Sequence, residues 1–208
     1  EISECLVGSE MCIRDSSKTR DMLVDVARQL FARMGVDNTT MNDIAQASRK
    51  GRRTLYTYFK SKNEIYLAVV ESELDQLHKM LVDVASKDLP ADEKLLTFIY
   101  SRLDAVKALV FRNGTLRATF FRDIWRVEKV RKSFDLREVE IIKGILDDGV
   151  KEGIFSMPDT DITALVLHHA LKGLEVPYIR GIMGDNISQR IKRRDNVMNL
   201  IFNGIKIK

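Results

Sequence analysis

Between Arg49 and Lys62 the chain carries Arg49, Lys50, Arg52, Arg53, Lys60 and Lys62, and no acid to neutralise them. The hydroxyls of Thr54, Tyr56 and Tyr58 are interleaved with these cations. Guanidinium, ammonium and hydroxyl groups in one short run supply counter-charge and hydrogen bonds to a row of phosphates. A solvated basic surface would have the same composition, so the reading depends on how the flanking segments hold these groups. Catalytic chemistry finds no support elsewhere. The 208 residues contain no nucleophile elbow, phosphate loop or dinucleotide fingerprint, and Asp147, Asp148 and Glu152 read as acidic surface.

The elements that would position the cations are short and well marked. Thr40 precedes Met41, Asn42 and Asp43, so its hydroxyl can cap a helix beginning at Met41 while the acid sits near the positive helix end. Ser48 to Gly51 offers a turn, and Arg52 to Phe59 resumes a helical pattern with Leu55, Tyr58 and Phe59 on one side. Ser61 and Glu64 form a second capping pair ahead of a third helix. Helix, turn and helix together form a DNA-reading head. In such a head the start of the second helix enters the major groove, which places Arg52, Arg53 and Thr54 at base edges. Tyr56, Tyr58 and Lys62 are placed to hold phosphates, and Thr40, Arg49 and Lys50 complete the DNA-facing set.

Residues 20–70 resemble the N-terminal domain of the TetR family of bacterial transcription regulators. The resemblance rests on Ala27, Leu30, Phe31 and Gly35, then Thr40, Ile44, Ala45 and Ala47, then Thr54-Leu55-Tyr56-x-Tyr58-Phe59, Ser61-Lys62 and Glu64. It implies a dimeric all-α regulator whose second motif helix reads DNA and whose C-terminal domain binds an effector. The departures lie in the turn. Arg49, Lys50, Gly51 and Arg52 stand where relatives usually have Gly, an apolar residue, Ser and Lys, and Arg53 replaces a further Gly. Arg49 is therefore expected at a positive φ, at a cost of about 1 kcal/mol. Gly51 is expected to serve as a tolerable N-cap.

Length and composition agree with a soluble helical protein. The chain is 45% hydrophobic, enough for a substantial core, and its net charge of +4 is too small to specify a partner without the clustering. No apolar run of about 20 residues suggests a membrane span, and no export signal is evident, so a cytoplasmic protein is expected. Residues 1–16 hold both cysteines, Cys5 and Cys12, at a spacing unsuited to zinc or CxxC redox chemistry, and are expected to be a non-native or disordered tail. The expected DNA-binding domain then spans 17–64, and a helical ligand-binding and dimerisation domain spans 65–208.

Beyond the head every apolar stripe has helical spacing. Tyr66, Val70, Leu74, Leu77 and Leu81 predict a long connector helix. Leu95, Leu96, Ile99, Leu103, Val106 and Val110 predict the next, ending at Asn113-Gly114, with another starting from Thr115. Ile141, Ile142, Ile145 and Leu146 mark a further helix closed near Gly153. The segment Ile162–Leu174 is apolar nearly all round, and Ile191, Met198, Ile201, Phe202 and Ile205 form a last stripe. These last two helices are the expected dimer seam. Tyr100, Phe120, Phe121, Trp125 and His168 are the candidate effector contacts, although aromatics at such spacing also serve as ordinary core. Arg117, Arg122 and Arg126 recur among them, a pattern that suits an anionic or amphipathic effector and equally a solvated face. His168 and His169 are adjacent, about 100° apart on a helix, so they cannot clasp one ion together; neither a metal site nor a cofactor is expected.

The expected partners are a double-stranded DNA operator, an unidentified small-molecule effector and a second copy of the chain. The competing reading is a helical protein-binding adaptor with only nonspecific nucleic-acid contact. Because arginine pairs bidentately with guanine N7 and O6, selection from a random DNA pool should enrich half-sites containing guanine opposite the second motif helix. Enriched half-sites lacking guanine there would reject that assignment.

Overall fold

Two seven-residue helices form the centre of the N-terminal part of the chain, and neither could persist alone, since isolated helices shorter than about 12–15 residues are marginal in water. The computed structural model describes residues 3–112 and 124–181, with Asn196 and Asn199; side chains are described from Ser16 in the first stretch and from Lys129 in the second. Its helices are α1 (Ser3–Met34), α2 (Met41–Ala47), α3 (Arg52–Tyr58), α4 (Lys62–Ala85), α5 (Ala91–Arg112), α6 (Ile124–Lys151) and α7 (Thr160–Ile179). The all-α expectation holds, with no β-strand among the described residues. The backbone of α1 already begins at Ser3, so most of the expected tail is helical and continuous with the first predicted helix.

The chain divides into two compact units, Glu1–Glu73 with Arg112–Val130, and Leu74–Phe111 with Arg131–Lys208. The division falls within α4, nine residues beyond the boundary expected at residue 64.

In the first unit the short helices are held by burial. Leu23, Ala27, Leu30 and Phe31 of α1, Ile44 and Ala45 of α2, Leu55 of α3, Phe59, and Ile65, Tyr66 and Val69 of α4 are all buried. Phe31 and Tyr66 meet edge to face, with centroids 6.4 Å apart. Gly35, at φ 87°, ends α1 in the left-handed region. The Thr39 hydroxyl then donates to the Gly35 carbonyl at 2.7 Å, and the Asn38 amide to the Met34 carbonyl at 3.0 Å, so the last carbonyl of α1 and the one just past it find partners.

In the second unit the predicted stripes face inward. Leu74, Leu77 and Leu81 of α4, Leu95, Leu96, Ile99 and Leu103 of α5, and Ile142, Ile145 and Leu146 of α6 are buried. Two acids cap helices here. The Glu152 carboxylate accepts from the Ala91 amide at 3.0 Å at the start of α5, and Asp159 accepts from the Ile162 amide at 3.0 Å at the start of α7. The helix expected from Thr115 and the stop at Asn113-Gly114 lie outside the described residues, as does the stripe from Ile191 to Ile205.

The ring of Phe155, itself buried, folds back over Gly149 so closely that a Cβ at residue 149 would collide with it. Gly149→Ala should therefore destabilise the protein by about 1–3 kcal/mol, read as a lower urea midpoint. An unchanged midpoint would contradict this packing.

Candidate nucleic-acid interface

The Thr40 hydroxyl accepts from the Asp43 amide at 3.2 Å, and Asp43 returns the contact by accepting from the Thr40 amide at 2.8 Å. This reciprocal box starts α2 where the sequence predicts it. Hydrogen bonds from the Thr40 side chain and backbone hold the Asp43 carboxyl below its ordinary value. A charged acid therefore stays at the positive end of α2.

The turn that follows aims the second helix. The Lys50 amide donates to the Ala45 carbonyl at 3.0 Å and the Arg49 amide to the Gln46 carbonyl at 3.1 Å, the pattern of a Schellman helix end. That motif needs a left-handed residue at its centre, and Arg49 takes it at φ 53°, as expected. The same pattern closes α6, where Ile154 donates to Gly149, but there Gly153 occupies the left-handed position at φ 71°. Gly51 then caps α3 with extended backbone and no side-chain hydrogen bond.

On α3, Leu55 points inward while Arg52, Arg53, Tyr56 and Thr57 are exposed. Arg49, Lys50 and Lys60 are exposed on either side, Thr40 is exposed ahead of α2, and Thr54 and Tyr58 are half-buried. The structure thus leaves the arginines and Tyr56 open on a surface that carries no acid between residues 49 and 62. Thr57 was absent from the expected set. It lies one turn beyond Arg53, and its hydroxyl donates to the Arg53 carbonyl at 3.0 Å. The spacing of four residues from Arg53 was the available signal.

Lys62 behaves differently from its neighbours. Its ammonium donates to the Val36 carbonyl at 2.7 Å and the Asp37 carbonyl at 3.2 Å, just past the end of α1. A cation is favoured at this negative helix end, so Lys62 ties α4 to α1 in addition to any role toward phosphate. The Ser61 cap forms as predicted, accepting from the Glu64 amide at 3.2 Å, but Glu64 reaches back to the Lys60 amide at 2.7 Å rather than to Ser61.

Of the expected effector contacts, Tyr100 is half-buried on α5 and His168 is buried on α7. Phe120 and Phe121 lie outside the described residues, as does the side chain of Trp125. His168 belongs to a charged cluster within the second unit. Arg102 of α5 is fully buried, pairs with Glu138 of α6, and reaches Glu175 of α7 at 2.8 Å. Arg131 approaches the other Glu175 oxygen at 3.5 Å, and Lys172 binds Asp135 at 2.6 Å. Burial disfavours the charge on Arg102, but Glu138 and Glu175 hold its pKa above the ordinary value. Burial likewise pushes Glu138 up, yet His168 and Arg102 bring it below the usual carboxylate range.

Sequence reasoning missed this cluster, although a signal was present. Arg102 follows Leu95 and Ile99 in the α5 stripe, Glu138 sits between Phe134 and Ile142 on α6, and His168 sits between Ala164 and Leu171 on α7. An ionisable residue in register with an apolar stripe must be buried, and a buried charge requires partners.

Residues 23–69 match the family model described as bacterial regulatory proteins, tetR family. The HTH-type transcriptional regulator QacR of Staphylococcus aureus (strain Mu50 / ATCC 700699) is 20% identical over 189 residues, covering 89% of this chain and 97% of QacR. The HTH-type transcriptional regulator YhgD of Bacillus subtilis (strain 168) is 22% identical over 148 residues, 71% of this chain and 78% of YhgD. Among solved structures, a transcriptional regulator from Cytophaga hutchinsonii ATCC 33406 shares the fold with a TM-score of 0.71 at 24% identity, over 90% of this chain and 98% of its own. Residues 23–69 thus form a helix-turn-helix domain of the tetR family of bacterial regulatory proteins, and the chain is similar over most of its length to helix-turn-helix transcriptional regulators.

Proposed function

We propose that this regulator is a ligand-responsive repressor that occupies a two-fold operator as a homodimer. The observation that carries the reading is the exposed α3 face, where Arg52, Arg53 and Tyr56 stand free of acids on a helix whose start is oriented by the Arg49 turn. Arg52, Arg53 and Thr54 read base edges in the major groove. Tyr56, Tyr58, Arg49, Lys50 and Thr40 set register through phosphates, and Lys62 both braces α1 and offers its remaining donor to the backbone.

A single head would bind weakly, because two recognition helices about 34 Å apart are needed to enter successive major grooves. The α7 surface supports self-association. Ile162 and Val166 are each 61% exposed, with Leu165, His169, Ala170 and Gly173 exposed along the same helical face. An apolar stripe of this kind on a soluble protein marks a partner surface. The effector, an unidentified small molecule, binds the second unit, to which the candidate contacts Tyr100 and His168 belong. It releases DNA by binding more tightly to a state in which the heads no longer match the groove spacing. The chain runs from one unit to the other through α4.

On selected operator DNA, Arg53→Ala should cost about 1–3 kcal/mol while changing affinity for random DNA little. Tyr56→Phe, losing a phosphate donor, should weaken both alike. Equal losses on both DNAs for both variants would contradict the division between base and phosphate contacts. Light scattering should give a dimer at micromolar concentration, and Val166→Glu should shift it toward monomer. A monomeric wild-type protein would remove the dimer proposal.

A further inference from the structure

We infer that Asp135, Glu138 and His168 form a binding site for a divalent first-row transition-metal ion. Asp135 and Glu138 lie three residues apart on α6 and so share a face, while His168 projects from α7 within the same compact unit. One ligand atom from each of the three lies within 4.8 Å of the others. Metal–ligand bonds are about 2.0–2.2 Å long, so drawing three such atoms onto one ion takes side-chain movement on the order of 1 Å.

The satisfied and unsatisfied atoms point the same way. Each carboxylate is held by one oxygen and leaves the other without a hydrogen bond. Glu138 gives one oxygen to Arg102, and Asp135 gives Oδ2 to Lys172 at 2.6 Å. Glu138 Oε2, Asp135 Oδ1 and both imidazole nitrogens of His168 make no hydrogen bond. Glu138 Oε2 lies 3.4 Å from His168 Nδ1, and Asp135 Oδ1 lies 3.7 Å from His168 Nε2. Glu138 and His168 have side chains 0% and 1% exposed, so water cannot readily compensate them. An imidazole lone pair and two open carboxylate oxygens are the donors a divalent ion takes, and each of them lies in this cluster.

The donor set selects the class of ion. Two carboxylates with one imidazole suit Mn2+, Fe2+, Co2+ or Zn2+, whereas Mg2+ and Ca2+ prefer oxygen alone and Cu+ prefers sulfur. Charge balance also assigns a role to Lys172. Arg102, Arg131 and Lys172 already match Asp135, Glu138 and Glu175, so an added dication would leave excess charge. Lys172 is one turn beyond His168 on α7 and its side chain is 27% exposed, so it can swing into water as the ion arrives. Lys172 acts as a resident cation that the metal displaces, leaving Arg102 to hold Glu138 in place. The adjacent His169 is exposed and supplies no ligand.

The test is titration of the full chain, stripped with chelator and free of DNA, with Co2+ followed by visible absorption and with Zn2+ followed by calorimetry. The absence of DNA keeps the outcome independent of the operator reading. The expected result is one ion per chain with a shifted Co2+ spectrum. His168→Gln and Asp135→Asn should each weaken binding at least tenfold, and Lys172→Ala should tighten it, while His169→Ala leaves it unchanged. Circular dichroism checks that each variant is folded, and Asp135→Asn, at the more exposed position, serves if His168→Gln is not. The proposal is overturned by a wild-type protein that binds neither ion, by binding that folded His168→Gln and Asp135→Asn leave intact, or by weaker binding in Lys172→Ala.

Discussion

A seven-residue helix cannot hold its own shape, and the helix-turn-helix is built on two of them in succession. Everything in the first unit follows from that constraint. Ile44, Ala45, Leu55 and Phe59 are buried because burial is the main force available to fix α2 and α3, and α1 and α4 provide the opposing apolar faces. Local hydrogen bonds then set where each helix starts and stops. Thr40 and Asp43 start α2, the Schellman turn ends it, and Ser61 and Glu64 mark the beginning of α4. Lys62 joins the end of α1 to the start of α4.

The turn concentrates what is distinctive in this chain. A left-handed arginine is less favourable than the glycine that performs the same task at residue 153, by about 1 kcal/mol. Strain of this kind is often kept where a side chain has work to do, and Arg49 is exposed at the start of the cation run. Its cost is small beside the burial of Leu55 and Phe59, so the helix-turn-helix forms regardless. What changes is the chemistry offered to DNA.

Much of this was legible in the sequence because it is local. Capping residues, the turn and the 3.6-residue stripes depend on near neighbours, and the expected starts of α2 and α3, the inward face of α4 and the positive φ of Arg49 all appear in the structure. Non-local contacts were not legible. Nothing near Lys62 announces that its ammonium ends on carbonyls 25 and 26 residues earlier. Likewise, the pairing of Arg102 with Glu138 and Glu175 joins three helices separated by 36 and 73 residues. The backbone of α1 extends through residues whose composition lacks an apolar stripe, so periodicity could not find it. The effector contacts were hardest to read, since a buried aromatic and a ligand-facing aromatic leave the same trace in a sequence.

The buried charges of the second unit and the exposed charges of the first obey one rule at opposite limits. Arg102 is held by two carboxylates because it has no water, while Arg52 and Arg53 face water and are available to a partner. In the proposed function those exposed arginines read a sequence rather than merely neutralise phosphate. Its most direct test is the affinity of the purified protein for pool-selected operator DNA beside scrambled DNA of equal length, measured across a salt series. A preference of about 1000-fold or more at physiological salt is expected. Equal affinities for the two DNAs, falling together and steeply with salt, would contradict it.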